Sequence, residues 1–477
     1  MLKDYTVAWP DQAQLDAIIR AHRRPDRVGV PAGHVIVGRI NPNGSLEETA
    51  VSLGSAQGIL AQKQNKDWWF NNILRWGLLR LDGRSRFNLT NDQPGGDLTA
   101  PPGNVLSHLF TDDEARRRVR DIIHDAFGTY LVIDPTNLGT LRIRLSTEPP
   151  TQDEQSLNES ARLFHSKAQH VKEASDGVQA FSGIVTAVLA GNFDVILVDE
   201  PEAFLHPPLA RKLGRHLATL ASQRGGTLMA STHSPDFLMG CLQGSQVVRV
   251  VRLEYSSGKS RGKMVDAQRL EAFLKRPLMR SANVISGLFH DGVVVTESDN
   301  DRAFYSEVYS RMSEQISSLP SILFVNAQNK QTIRDIIGPL RSFGVPAAAI
   351  PDIDIVKDGG KTWTDWLTAA GVPDALHIGY GQQRSSINDL LVRTGKDMKR
   401  DGGIAILSPE NRPAAEALLN TLDQYGVFTV RRGELENWLP DLSIPGKKTD
   451  WAVAMLERLG GDPAAPSYVR PGAGDVW

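Results

Sequence analysis

A chain of 477 residues is too long for one ordinary domain, and two large modules fit its length. Its 41% hydrophobic and 23% charged residues exclude a wholly disordered or fibrous chain, and a net charge of −2 means that any phosphate contacts must come from local basic patches. The single cysteine, Cys241, excludes an intrachain disulfide and a cysteine-based zinc site. A cytoplasmic protein is expected, with no membrane insertion, because there is no apolar leader and no run of about 18 apolar residues.

Residues 1 to about 60 are punctuated by glycine and proline, with one strand predicted at His34–Ile40 that ends in Asn41-Pro42-Asn43-Gly44. From Asp67 to Leu81 the apolar residues fall at helical spacing, and the run RSRFNLT after them reads as a short strand. Residues 112–127 predict an amphipathic helix with Arg116, Arg117, Arg118 and Arg120 largely on its exposed side. Strands at 129–134 and 139–145 follow, the pattern of an α+β lobe. Over 175–252, helices alternate with the buried strands VILVDE and TLMAST and the strand VVRVVRL, which predicts an α/β fold with a parallel sheet. A second α/β pattern has strands near 293–296, 321–325 and 346–351, and the stretch after Pro440 reads as a loose tail.

The chemistry begins at Val195–Pro201, an apolar run that ends in Asp199 and Glu200 where a buried parallel strand would emerge. In P-loop NTPases the first acid holds Mg²⁺ through its water shell and the second polarises the water that attacks the γ-phosphate. Upstream, Ser175-Asp176-Gly177-Val178-Gln179 opens a helix; downstream come Pro201-Glu202-Ala203-Phe204-Leu205-His206-Pro207 and, at the end of the next strand, Ser231-Thr232-His233-Ser234-Pro235. This order resembles the signature, Walker B and switch-histidine motifs of ABC-type ATPases. The resemblance implies that Ser175, Gly177 and Gln179 meet the γ-phosphate of ATP on an opposite subunit, and that His233 senses that phosphate. A homodimer or higher homo-oligomer is therefore expected. No G-x-x-x-x-G-K-[ST] precedes the signature, and Asn41–Ser45 is followed by Leu46 and Glu47 where a phosphate cradle needs Gly-Lys. Either the first strand and phosphate loop have been lost or the ATPase is degenerate; slow ATP hydrolysis or none is expected of the chain as it stands.

Further on, Gly292–Glu297 is a buried strand ending in an acid, followed by Ser298-Asp299-Asn300-Asp301-Arg302, and Ala347–Pro351 leads into Asp352-Ile353-Asp354. Acids at the carboxyl ends of neighbouring parallel strands converge on one crevice, and their hard oxygens suit Mg²⁺ or Mn²⁺. This layout resembles Toprim domains, which implies that Glu297 is a metal ligand or general base and that Asp301, Asp352 and Asp354 are metal ligands. Ser298 departs from the usual Glu-Gly, and Asn326–Lys330 replaces the usual Gly-Lys-Ser-type turn. Gly433–Trp438, with Glu434 and Glu436, is similar to the closing motif of such domains.

The two sets in this order resemble the OLD (overcoming lysogenization defect) endonucleases. That resemblance implies an ABC-type ATPase core with an inserted α+β lobe over 1–255, a basic connector over 256–280, a Toprim-like domain over 281–445 and a tail over 446–477. It also implies ATP and a divalent metal as cofactors, DNA as partner, and a role in phage defence or DNA processing. Two basic clusters, Lys259, Arg261, Lys263, Arg269, Lys275, Arg276 and Arg280, then Arg384, Arg393, Lys396, Lys399 and Arg400, mark the expected DNA path. The rival readings are a DNA-remodelling or end-sensing ATPase with a silent acidic domain, and a non-catalytic assembly scaffold.

Overall fold

Two aliphatic runs, Val195–Asp199 and Gly292–Thr296, are the central strands of two separate parallel sheets, and the chain divides accordingly into units Met1–Val248 and Arg249–Trp477. The computed structural model describes residues 9–25, 27–41, 46–83, 85–99, 102–190, 193–223, 226–256, 258–276, 284–438 and 443–472.

In the first unit, α1 (Gln12–His22), the hairpin β1 (His34–Ile40) and β2 (Leu46–Ser52), α2 (Leu53–Gln62) and α3 (Lys66–Asn72) surround a small core that includes Leu15, Val35, Val37, Trp69 and Trp76. Residues 42–45, the stretch weighed above as a phosphate loop, lie outside the described residues. The helix expected through Leu81 stops early. A 3-10 turn at Leu74–Gly77 leads into strand β3 (Leu78–Leu81), because parallel pairing with Val195–Val198 buries Leu79 and Leu81. Such tertiary pairing overrides local helical spacing. RSRFNLT is likewise not a strand: Ser85–Thr90 is a 3-10 turn that carries Arg86 inward, 1% exposed.

The α+β lobe is present. β4 (Gln93–Pro94), α4 (Val105–Thr111), α5 (Asp113–Phe127), β5 (Tyr130–Asp134), β6 (Thr140–Ser146), α6 (Glu159–Lys167) and β7 (Gln169–His170) include an antiparallel sheet ordered β4-β6-β5, with β7 also on β6. Two of the four arginines on α5 are not a solvated face. Arg116 is 7% exposed, and Arg116 and Arg120 both pair with the buried carboxylate of Glu154. A buried acid needs such partners, so this cluster is structural.

The sheet that carries the first acidic motif is ordered β3-β8-β9, all parallel, with α7 (Asp176–Ala190) before β8 (Val195–Asp199), α8 (Pro207–Gln223) before β9 (Thr227–Ser231), and α9 (Pro235–Gly244) after it. Among the described residues no strand pairs with the far edge of β9, where Met229 is 58% exposed. The run VVRVVRL does not extend this sheet. Its part β10 (Val250–Ser256) turns back at Gly258 on β11 (Lys259–Val265) as an antiparallel hairpin of the second unit. Arg252 fixes that hairpin by donating to the carbonyls of Leu288, His290 and Gly344.

The second unit continues with α10 (Ala267–Leu274), so the basic connector is a hairpin and a helix rather than a linker. β12 (Gly292–Thr296), α11 (Asp299–Gln315), β13 (Ile322–Asn326), α12 (Lys330–Ser342) and β14 (Ala347–Ile350) then form a parallel sheet ordered β13-β12-β14. Residues 427–430 run parallel to its outer edge, bridging Ala349 to Val427 and Asp352 to Val430. Helices α13 (Gly360–Ala370), α14 (Asp374–Arg393) and α15 (Arg412–Gln424) occupy the connection between β14 and this edge segment.

The expected loose tail contains α16 (Lys448–Leu459), whose Trp451, Ala452, Met455 and Leu459 pack with Phe304 and Val308 of α11 in a cluster of buried residues. Apolar residues at helical spacing bury this face; exposed Val453 lies on the other. Trp451→Ala should therefore destabilise the second unit by about 3–5 kcal/mol, whereas Val453→Ala should stay within about 0.5 kcal/mol. Calorimetric melting of the full chain checks both.

Candidate functional site

In the first unit the acids emerge where the sequence places them. Asp199 is the last residue of β8, and Glu200 follows in the left-handed region at φ 45. A non-glycine residue held there is strained and needs support from its surroundings. The support comes from Arg86, whose guanidinium donates to the Asp199 carbonyl at 2.7 Å and the Glu200 carbonyl at 3.0 Å, and from the Glu200 N–H, which donates to the Ser231 carbonyl at 2.9 Å. The Ser231 hydroxyl donates to the Asp199 carboxylate. His233 stands 3.7 Å from Glu200 and is 84% exposed, so the switch-histidine position and the second acid share one open face. Glu202 ties the two loops together, because one of its oxygens accepts from the Thr232 hydroxyl at 2.6 Å and the His233 N–H at 3.1 Å.

The helix expected to carry the signature begins at Asp176, with Ser175 exposed beside it. Gly177 is required by contact: a Cβ there would lie 2.7 Å from the Phe204 carbonyl oxygen, so the start of this helix packs on the loop after β8. Gln179 needs correcting as a nucleotide ligand. Its side chain is turned inward, 8% exposed, and donates to the carbonyls of Ala174 and Lys172. Its part here is to hold the turn before the helix. Arg86 and Glu202 were not identified from sequence. Arg86 sits in a turn read as a strand, and only the fold brings it to Asp199. Arg86→Met should cost about 2–4 kcal/mol of stability by leaving two main-chain carbonyls without their donor, seen as a lower calorimetric melting temperature of the full chain.

In the second unit, Glu297 follows β12 and Asp352 follows β14, neighbours in the parallel sheet. One Glu297 oxygen accepts from the Asp352 N–H at 3.0 Å, which fixes the glutamate at the strand ends. Asp301 lies in the first turn of α11 and forms a capping box with Ser298: its Oδ2 accepts from both the Ser298 N–H and hydroxyl at 2.9 Å. The departure at Ser298 thus becomes a helix cap that uses one oxygen of Asp301. Asp354 is drawn the other way. The Lys330 ammonium lies 3.2 Å from both Asp354 and Asp358, so the first residue of α12 supplies a cation to the acidic loop. Lys399 lies 2.5 Å from Asp352. Glu436 is occupied at the start of α16, where it accepts from the Lys448 N–H at 2.8 Å.

Burial, opposed by nearby donors and cations, pushes the carboxyls of Glu297 and Asp301 above their ordinary range. Asp352 is pushed up to about 7 by burial and then by the charge of Glu297. Burial alone would lower the Lys399 ammonium, but its bond to Asp352 and the charges of Asp352, Asp354 and Glu297 hold it above its usual range.

The expectation that Glu297, Asp301, Asp352 and Asp354 form a ready metal site needs correction. Among the described residues no three carboxylate, imidazole or thiol groups stand together as a metal-holding group, because Lys399 and Lys330 engage Asp352 and Asp354 separately. The donor chemistry nevertheless fits a hard divalent cation. All four ligands offer oxygen, and Asp354 keeps one buried oxygen with no hydrogen-bond partner. The sign of the pH dependence follows from Asp352. Below about pH 7 it holds a proton that competes with a metal, and above it the carboxylate is free to ligate. Mn²⁺ affinity of the parent, measured by calorimetry, should therefore rise between about pH 6 and 8, and binding should be lost in Asp352→Asn at every pH in that range.

Among solved structures, an SMC head bound to the C-winged helix domain of ScpA is 12% identical, with 50% of this chain and 70% of that chain covered and a TM-score of 0.30. The Smc head domain with a coiled coil and joint from Pyrococcus yayanosii is also 12% identical, with 34% of this chain and 29% of that chain covered and a TM-score of 0.24. A family model described as an AAA domain, putative AbiEii toxin, Type IV TA system, matches residues 108–239. The Old nuclease of Escherichia phage P2 is 21% identical over 292 residues, 59% of this chain and 48% of the relative, so the chain spans about half the length of the curated relative it matches. Parts of the chain are thus similar to an AAA-domain family model and to a phage nuclease.

Proposed function

We propose that the chain is a nucleotide-regulated, metal-dependent DNA endonuclease or nickase, with the acidic crevice of the second unit as its cutting site and the first unit as its regulator. The observation that carries this reading is the pairing of Glu297 with the Asp352 main chain at the ends of adjacent parallel strands, with Asp301 and Asp354 beside them. A bound Mg²⁺ or Mn²⁺ would polarise the phosphodiester and supply a nucleophilic water. Asp352, Asp354 and the free oxygen of Asp301 would hold it. Glu297 has one oxygen tied to the Asp352 N–H and its affinity for protons raised by burial, which suits the other oxygen to take a proton from the attacking water.

DNA would reach the crevice along exposed cations: Lys259, Arg261, Lys263, Arg269, Lys275 and Arg276 on the hairpin and α10, and Arg393, Lys396 and Arg400 after α14. Arg384 drops out of this path because it donates to the Val356 carbonyl at 2.7 Å, and Arg280 lies outside the described residues. In the first unit Asp199 would hold the magnesium of ATP, with Glu200 activating water and His233 sensing the γ-phosphate. Ser175 and the Gly177 turn would present the signature to a second copy, making the active form a homodimer. Phage defence is the biological setting that this reading favours.

Asp352→Ala and Glu297→Ala should each lower nicking of plasmid DNA in Mg²⁺ or Mn²⁺ by about a hundredfold or more, with melting temperatures showing that both variants fold. Parent-like nicking by either variant would shift the assignment to a DNA-remodelling ATPase whose acidic domain is silent.

A further inference from the structure

Two lysines enter the acidic crevice, and they are held differently. Lys330 is locked: its ammonium meets Asp354 Oδ2 and Asp358 Oδ1 at 3.2 Å and the Asp354 carbonyl at 3.1 Å, and it is 15% exposed. Lys399 is 28% exposed and stands on the turn after α14, its ammonium on Asp352 Oδ2 at 2.5 Å. Its main chain, by contrast, is clamped. The Lys399 N–H donates to Asp397 at 2.9 Å, and its carbonyl accepts from the Asn437 side-chain amide at 2.9 Å, which also donates to the Arg432 carbonyl at 3.0 Å. Gly433, at φ 111, lies so close that a Cβ there would overlap the Lys399 carbonyl. A fixed anchor therefore carries a long side chain with four methylenes of freedom.

An oxygen ligand binds Mg²⁺ or Mn²⁺ at close to 2 Å, so a divalent cation on Asp352 Oδ2 would be repelled by the Lys399 ammonium that lies 2.5 Å from that oxygen. The lysine stem can swing outward towards solvent, where exposed Lys396 and Arg400 flank it in sequence. We propose that Lys399 is an exchangeable counter-ion of the crevice: it holds Asp352 until a divalent cation takes that carboxylate, then turns outward to contact a backbone phosphate of DNA. This rests on the metal-dependent nuclease reading. Before metal arrives, the lysine offsets the charge of Asp352 beside Glu297.

The test is Mn²⁺ binding to the full chain followed by electron paramagnetic resonance, for the parent, Lys399→Met, Lys399→Arg and Asp352→Asn. Lys399→Met should bind Mn²⁺ on the order of tenfold more tightly than the parent, and Lys399→Arg should stay near the parent. In plasmid nicking, Lys399→Met should raise the KM for DNA. Equal or weaker Mn²⁺ binding by Lys399→Met, with binding still lost in Asp352→Asn, would overturn the exchange and leave the metal site standing. No Asp352-dependent Mn²⁺ binding in either the parent or Lys399→Met would overturn both. A second readout needs no substitution at Lys399. In ¹⁵N-lysine-labelled parent, Mg²⁺ should move the Lys399 ammonium resonance to that of a solvent-exposed lysine. An unmoved resonance at saturating Mg²⁺ would also overturn the exchange.

Discussion

Carboxylates gathered at the ends of parallel strands repel one another and resist burial, so each acidic cluster in this chain depends on a cation supplied from elsewhere in the fold. In the second unit these cations are Lys330 and Lys399, one from the start of a sheet helix and one from a turn far along the chain. In the first unit Arg86 does a related task through the main chain, holding the carbonyls of Asp199 and Glu200 while their side chains stay exposed. The difference follows from burial. Asp199 and Glu200 face solvent, whereas burial pushes the Glu297 and Asp352 carboxyls towards their neutral forms.

The same constraint explains how the two sites differ in readiness. The first is open: His233 and Glu200 share a solvent face, and the edge of β9 carries no further strand among the described residues. Its tightly made parts are the backbone ties behind the acids and the contact of Gly177 with the Phe204 loop. The second is closed by its own lysines. Its acids share one sheet end but are parted between Lys330 and Lys399.

Much of this was legible in sequence because an apolar run followed by an acid encodes both a buried parallel strand and the residue at its end. β8, β9, β12 and β14 were readable on that ground, and with them the positions of Asp199, Glu200, His233, Glu297 and Asp352. What could not be read was which distant side chains answer those acids. Arg86, Glu202 and Lys399 look like ordinary surface charges until the chain folds, and Lys399 reaches Asp352 only because a helical excursion returns its turn to the sheet edge. Gln179 shows the converse: a motif position that looks like a ligand but serves the local turn. The helix Lys448–Leu459 has its signal in the sequence, since Trp451, Ala452, Met455 and Leu459 fall at helical spacing, but proline-rich residues follow it directly.

The central claim is that the strand-end acids of the second unit form a metal site once their lysine is displaced. Its most direct test is anomalous diffraction from crystals of the full chain grown with Mn²⁺. The account requires an anomalous peak within bonding distance of Asp352, with the Lys399 ammonium moved off that carboxylate. Crystals in saturating Mn²⁺ that show no peak in the crevice, with Lys399 still on Asp352, would contradict it.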